Sequence, residues 1–535
     1  MLRALMDERT LLAIAMGLHA PDVRGWSDAE QAVTSDLPEA AGSVLRDVRR
    51  LVRAGEDPLG ECFCALRSRD VRRLQGATYT PPKIVKAMIA WAERQGVPSR
   101  VVEPGAGSGR FAVSAGRAFP HARLLAVELD PVAAVLCRAH LAAAGMAKRS
   151  CVVLGDYREF SPAPLPEGDR TLFVGNPPYV RHHLIGRQWK DWLVREGKRW
   201  GLHTSALAGL HVHFFLATAN AARAGDWGCF ITSAEWLDVN YGRMVRELLL
   251  NGLGARRLLV VEPTAEPFPD AQTTAAIACM EMGAKPKSIV VKRVASCGDL
   301  DDLRGGRRVR RERLEAERRW SRLTQARRGT PAGFVQLGEL CRVHRGQVTG
   351  ANAVWIAGLH SRGLPESVLF PTVTRARELY AARPELRDAA SLRRVIDLPA
   401  NLDAFDRDER GMIDEFLRLA MSMDVHLGYV ASHRRPWWSV GLREPAPVLA
   451  TYMARRPPAF VLNRSGARHL NIAHGLYPRD ALGPDVLTKL VAYLSTNVAL
   501  GDGRTYAGGL TKFEPREMER LVVPEPAALA AGAIP

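Results

Sequence analysis

Thr171-Leu172-Phe173-Val174-Gly175-Asn176-Pro177-Pro178-Tyr179-Val180 is a short apolar run that breaks on two successive prolines. Proline has no N–H to give a sheet or a helix and fixes φ, so the chain leaves the sheet here on stiff backbone. That stiffness holds the Asn176 amide, the Pro177 carbonyl and the Tyr179 ring in a fixed relation. An amide oxygen, a bare carbonyl and an aromatic face together suit a planar base that carries an amino group.

Outward from this turn, between Val101 and about Met282, β-rich runs alternate with helical stretches. The runs are Arg100–Val102, Leu124–Val127, Cys151–Leu154, Leu172–Val174, Gly228–Ile231 and Arg257–Val261. Strands separated by helices predict an α/β fold, a Rossmann-like, doubly wound parallel sheet covered on both faces. This sheet domain is assigned residues 76–290, after a helical segment over residues 1–75 with apolar positions such as Leu45, Val48, Leu51 and Val52. Arginines from Arg304 to Arg328, against only Glu312, Glu315 and Glu317, mark residues 291–332 as a basic linker. Such a run is either a solvated helix between domains or a phosphate-contacting hinge. Residues 333–524 change to short mixed segments and read as an α+β domain, and the Ala/Pro tail 525–535 is expected to be disordered.

Three acids stand on successive strand ends. Glu103-Pro104-Gly105-Ala106-Gly107-Ser108-Gly109-Arg110 takes the first strand into a glycine turn that opens a helix. Glycines there let backbone approach a ligand closely. Glu103 would repel a phosphate and suits a cationic amino group. Glu128, ending the second strand, stands where this architecture hydrogen-bonds ribose hydroxyls, and Asp130 caps the helix that starts at Pro131. Asp156, after the third strand, is placed to accept from an adenine amino group. Each acid alone reads equally well as a helix cap. Upstream, Thr80 reads as a helix N-cap with Pro81 in the first helical position.

The chain has 535 residues, 47% of them hydrophobic, enough for two or three domains with their own cores. Its net charge of +17 favours a polyanionic partner. Most of the excess is arginine, which forks onto phosphates and guanine edges. Eight cysteines are scattered, and Cys62 and Cys64 lack the second close pair that a zinc site needs, so no metal is expected. The run Leu11–Met16 follows Asp7, Glu8 and Arg9 and is no signal peptide. No apolar stretch reaches the roughly 20 residues that span a bilayer. A soluble cytoplasmic protein is expected.

The order of Tyr79-Thr80-Pro81-Pro82, Glu103–Gly109, Val127–Pro131, Gly155-Asp156-Tyr157 and Gly175–Val180 resembles the gamma-class DNA adenine-N6 methyltransferases of restriction–modification systems. The similarity continues through Gly228–Thr232, Pro267–Thr274, Arg345–Asn352 and Gly508–Pro515, covering about residues 75 to 524 and looser in the second half. The resemblance implies S-adenosyl-L-methionine as methyl donor, held by Thr80, Glu103, Gly105, Gly107, Glu128 and Asp156. It implies an adenine flipped from double-stranded DNA onto Asn176, Pro177, Pro178 and Tyr179, with Phe268 as a second aromatic. It makes the second half the target-recognition domain, where Arg434–Trp438 and Arg455-Arg456 are candidate DNA contacts. The basic aromatic stretch Arg181–Trp200 is either a loop ordered by DNA or a surface helix anchored by its tryptophans. A bacterial or archaeal monomer follows, with a cognate restriction endonuclease as a partner at the same site. An RNA or protein-glutamine methyltransferase is the rival of nearest chemistry, but those resemble only the first half. A catalytically inactive nucleic-acid-binding relative is the other rival, and the intact Glu103, Asp156, Asn176 and Tyr179 stand against it.

Overall fold

A computed structural model describes residues 7–67, 80–262, 274–324, 331–454, 456–506 and 510–532. Tyr79, Pro267 to Thr273 with Phe268 among them, Arg327, Arg328, Arg455, Gly508 and Gly509 lie outside the described residues. Those up to Thr324 belong to one compact unit and those from Pro331 onward to a second. Among the described residues no helix is long and apolar enough to cross a membrane.

The first unit is built on β1 (Arg100–Pro104), β2 (Arg123–Glu128), β3 (Ser150–Leu154), β4 (Thr171–Gly175), β5 (Trp227–Ser233), β6 (Ala255–Val261), β7 (Ala275–Glu281), β8 (Ser288–Val294) and β9 (Arg307–Arg310). They form one sheet in the order β3-β2-β1-β4-β5-β7-β6-β8-β9. The strands β1 to β5 pair in parallel. Beyond them the doubly wound sheet becomes mixed: β7 runs antiparallel between β5 and β6, and β9 antiparallel to β8. Parallel neighbours need a crossover, and β1 and β2 are joined by one that carries the helix Arg110–Ala118.

Around the sheet stand helices α1 (Glu8–Gly17), α2 (Asp28–Val33), α3 (Gly42–Ala54), α4 (Pro58–Leu66), α5 (Pro82–Glu93), α6 (Arg110–Ala118), α7 (Pro131–Ala143), α8 (Arg187–Arg199), α9 (Leu210–Ala221) and α10 (Arg243–Asn251), with a short helix at Arg311–Ala316. Strand residues alternate between two cores. Val101, Leu172, Val174, Cys229 and Ile231 face α5 and α6 through Met88, Trp91 and Phe111. Val102, Phe173 and Phe230 face α9 and α10 through Val212, Phe215, Met244 and Leu248. Burial on both faces is why these strands read as unbroken apolar runs.

Residues 291–324 are not a linker. β8 and β9 extend the sheet, and Val309, Leu314, Trp320 and Leu323 are buried in its second core. Two of the arginines there are tied down: Arg311 donates to the Leu250 carbonyl at 2.9 Å, and buried Arg319 pairs with Asp238 at 3.6 Å. Four apolar anchors among many charges are easy to overlook in the sequence.

The N-terminal helices pack on α7, which is mostly apolar on two faces and so needs cover on both. Ala134, Cys137 and Leu141 of α7 face the sheet, while Val135, Leu136 and Ala139 face Leu11, Val48, Val52, Leu59 and Phe63. Arg138 on the same helix is wholly buried with Glu30 of α2, Nε to Oε1 at 2.5 Å. Its remaining N–H groups reach the Val23, Arg24, Gly25 and Val152 carbonyls at 2.6–2.9 Å.

In the second unit a mainly antiparallel sheet orders Cys341–Arg345, Ala473–Pro478, Val448–Thr451, Phe460–Asn463 and Glu385–Leu386. The helix Pro484–Asn497 packs on it through Leu487, Leu490, Val491 and Leu494. The tail expected to be disordered forms a helix over Pro526–Ala531, because Leu529 is buried in this core. Trp437 and Trp438 pack against a separate core around Trp355 and Phe416, so they hold structure. Arg434 bonds the Thr349 carbonyl at 3.2 Å, Arg456 lies over the Tyr380 ring at 3.5 Å, and Arg435 is exposed.

Candidate active site

At the carboxyl end of β1 the chain turns through Gly105, Gly107 and Gly109, at φ +64°, +54° and +78°. A Cβ on Gly109 would stand 2.6 Å from Cys137 Sγ of α7, so both the backbone and the space there require glycine. The Ala106 N–H donates to the Val127 carbonyl at 3.0 Å, tying the turn to β2.

Glu103 and Glu128 are built into the backbone around this turn. Glu103 is buried and accepts from the Phe111 and Ala112 N–H groups at 3.2 and 2.6 Å, at the start of α6. Burial, with Glu128 and Asp57 adding negative charge nearby, pushes its pKa up to about 8. Glu128 takes the Gly107 N–H on one oxygen at 2.7 Å and the Leu129 and Asp130 N–H groups on the other at 2.8 and 2.9 Å. Its pKa too is raised by burial. Asp130 caps α7 through the Val132 N–H at 2.9 Å, as expected from sequence. Asp156 is clamped by Arg158, whose Nε and Nη2 approach its two oxygens at 2.8 and 2.5 Å.

After β4, the Tyr179 hydroxyl donates to Asn176 Oδ1 at 2.6 Å. Burial drives the Tyr179 pKa well up, so it stays a neutral phenol. Asn176 Nδ2 donates to Thr80 Oγ1 at 3.0 Å. Thr80 is thus not the N-cap expected: α5 starts at Pro82 with Pro81 at the cap. The second proline moves the helix start by one residue, because a residue before proline avoids helical backbone. His211 of α9 stands 6.4 Å, ring to ring, from both Tyr179 and Tyr241, and burial lowers its pKa to about 4. It is therefore an uncharged imidazole at neutral pH.

Thr80, Glu103, Gly105, Gly107, Glu128, Asp156, Asn176 and Pro178 all line one cavity of about 680 Å³. Pro177 is buried in the turn, and the Tyr179 ring packs against the first core. Phe268 lies outside the described residues. Sequence reading missed several residues of this wall. Gly60, Phe63, Cys64 and Arg67, from the N-terminal helices, line the same cavity, as do Arg110 and Arg158. The Asp57-Pro58 start of α4 was a legible capping signal, but nothing in it showed which neighbour the helix would meet.

The basic aromatic stretch is a surface helix. In α8, Trp192 stacks on His213 of α9 with centroids 5.9 Å apart and planes 10° apart. Trp189 lies under the Arg158 guanidinium at 3.6 Å. Arg187, Arg195, Lys198 and Arg199 face solvent.

Several known proteins are related to this chain in sequence. The family described as Eco57I restriction-modification methylase matches residues 171–262, which hold the Asn176 turn and β4 to β6. That described as Type II methyltransferase M.Eco57I, C-terminal domain, matches residues 321–533. The Type II methyltransferase M.XamI of Xanthomonas campestris pv. amaranthicola is 49% identical over 524 residues, covering 97% of this chain and 98% of its own. A tRNA1(Val) (adenine(37)-N6)-methyltransferase of Porphyromonas gingivalis is 33% identical over 99 residues, 18% of this chain and 39% of its own. Among solved structures, the Type IIL restriction-modification enzyme MmeI in complex with DNA shares the fold, with a TM-score of 0.55 over 95% of this chain and 84% of its own at 11% identity. With nearly its whole length matched at 49% identity, the chain belongs to the Type II DNA methyltransferases of restriction–modification systems.

Proposed function

We propose that this enzyme methylates N6 of an adenine rotated out of duplex DNA at a specific sequence. In this reading S-adenosyl-L-methionine is the donor, the enzyme acts as a monomer, and a cognate restriction endonuclease is its partner. The observation that carries the reading is the Asn176 oxygen, fixed beside Tyr179 at the rim of an acid-lined cavity. The stretch of similarity to an adenine-N6 enzyme favours adenine over cytosine.

The residues present fit the donor. A cavity of about 680 Å³ falls within the ~300–1,000 Å³ usual for small ligands. Glu103 suits an ammonium group, Glu128 a ribose diol and Asp156 an adenine amino group. When bound, the donor supplies an electrophilic sulfonium methyl group. Tyr179 offers a face for the flipped base, worth about 1–3 kcal/mol of stacking, and Phe268 is assigned the second wall. Asn176 Oδ1 and the Pro177 carbonyl accept the two N6 hydrogens and push electron density onto a nitrogen whose lone pair is otherwise delocalised. Pro177 and Pro178 keep those acceptors rigid. No strong base is needed, because the methylated nitrogen sheds its proton readily once cationic. Positioning and polarisation supply the acceleration.

Purified enzyme with tritiated donor and mixed-sequence DNA, RNA or protein tests the proposal. N6-methyladenine in DNA, mapped to one motif by sequencing, is the expected product. Label on cytosine, or only in RNA or protein, would overturn it.

Two further outcomes follow from the site. A Glu103 pKa of about 8 means the carboxyl is largely protonated at pH 7 in the free enzyme. In the free enzyme this raised value favours folding at low pH, and that contribution is lost as pH rises from the ordinary carboxylate range through 8. An ammonium group beside Glu103 would drive the proton off, so donor binding tightens as pH rises from 6 to 8. Calorimetry at pH 7 in buffers of different ionisation enthalpy should show net proton release on binding, and Glu103→Gln should remove it. Tyr179→Ala should lower the single-turnover rate below saturating DNA by roughly 10–100-fold, the loss of one base stack. Tyr179→Phe, which keeps the ring, should lose much less.

A further inference from the structure

A buried chain of hydrogen bonds leads from the N-terminal helices to the Asn176 amide. Asp57 caps α4 and is 5% exposed. Its Oδ2 accepts from Ser108 Oγ at 2.6 Å and from Arg110 Nε and Nη2 at 3.2 and 3.0 Å. The same guanidinium donates through Nη1 to the Thr80 carbonyl at 2.8 Å. Thr80, 4% exposed, then accepts from Asn176 Nδ2 at 3.0 Å. The Arg110 side chain thereby fixes the backbone of Thr80, and the Thr80 hydroxyl fixes the far end of the amide whose oxygen faces Tyr179.

The amide needs that support. The terminal torsion of asparagine is broad, so contacts rather than rotamer preference set where its oxygen points. With Tyr179 at the oxygen and Thr80 at the nitrogen, both ends of the amide are held. A buried donor that loses one of its acceptors shifts toward what remains, and the oxygen shifts with it. Small displacements of a reacting contact cost large factors in rate.

We propose that Thr80 is the positioning residue for Asn176, and that Asp57 and Arg110 hold Thr80, so that the N-terminal helical segment is part of the catalytic apparatus. This rests on the reading of Asn176 as the group that polarises the target amine. It assigns a task to residues before Pro81 that their sequence does not disclose, and it gives Thr80 a role toward the acceptor base rather than the donor.

The test compares full-length Thr80→Val, Thr80→Ser and Asp57→Asn with wild type. Three readouts are used: donor affinity by calorimetry, single-turnover transfer at saturating donor and DNA, and 2-aminopurine fluorescence at the target position. Thr80→Val, nearly isosteric, should bind donor as wild type does and flip the base normally. Its transfer should be slower by about 10–100-fold, the scale of a misplaced reacting contact. Thr80→Ser should restore the rate, and Asp57→Asn should slow it without changing donor affinity. Weakened donor binding with an unchanged saturated rate in Thr80→Val would overturn the proposal. So would failure of Thr80→Ser to rescue, or an Asp57→Asn enzyme that loses only thermal stability. The wild-type arm keeps the adenine reading separate: label on cytosine would refute that reading, yet the Thr80 comparison would still report whether the amide is held from this side.

Discussion

Asn176→Ala should reduce methyl transfer by at least ~10²–10³-fold, the usual effect of deleting one preorganised polar contact to a reacting group. Donor affinity should be almost unchanged, since Asn176 bonds Tyr179 and Thr80 and the acids of the cavity are held by other groups. Asn176→Asp should retain more activity than alanine. It keeps an acceptor oxygen in place, and the Thr80 hydroxyl can turn to donate to the second one. Single-turnover rates with bound donor, alongside calorimetric donor affinities, decide the matter. Wild-type transfer by Asn176→Ala would refute the mechanism, and a loss explained wholly by absent donor binding would move Asn176 to the donor site.

Arg138→Met is expected to be the most destabilising single change outside the site. Removing one partner of a buried ion pair costs about 3–5 kcal/mol, because the other charge is left in the interior without compensation. Glu30 is that charge, left with only the Ser27 N–H and hydroxyl as donors, and both side chains of the pair are fully buried. The carbonyls of Val23, Arg24, Gly25 and Val152 would lose their donor as well. A fall in melting temperature on the order of 10 °C should result. Adding Glu30→Leu should recover part of the loss by removing the orphaned charge, but not all, since the carbonyls stay unpaired. Thermal unfolding followed by circular dichroism reads both. Full recovery in the double variant would show that the carbonyl contacts contribute nothing net, and an unchanged Arg138→Met would show that the pair is not stabilising at all.

Much of the first unit was legible because its signals are local. The strands β1 to β6 are apolar runs of ordinary length, and the prolines after Gly175 and the glycines after Pro104 mark where each must end. Asp130 was readable as a cap since the helix it serves starts one residue later. Where the reading failed, sequence neighbours misled. Charges around Val309, Leu314 and Trp320 concealed a sheet edge. The alanine-rich tail concealed Leu529, whose burial anchors it. Thr80 was one proline away from being the cap it resembled.

The sequence by itself determined the groups on which the proposed chemistry rests: an amide, a carbonyl and an aromatic ring at a rigid strand end, preceded by acids on three other strand ends. Those depend on spacing along the chain, and spacing survives without knowledge of the fold. Only the tertiary structure decided which groups hold that chemistry in place. Asp57 and Ser108, 51 residues apart, meet because α7 has two apolar sides and the N-terminal helices must cover one of them. Thr80 and Asn176, 96 residues apart, meet because the start of α5 and the end of β4 come together at the rim of one cavity. Burial then gives those hydrogen bonds their weight, and burial is a property of the packed chain, not of any segment of it.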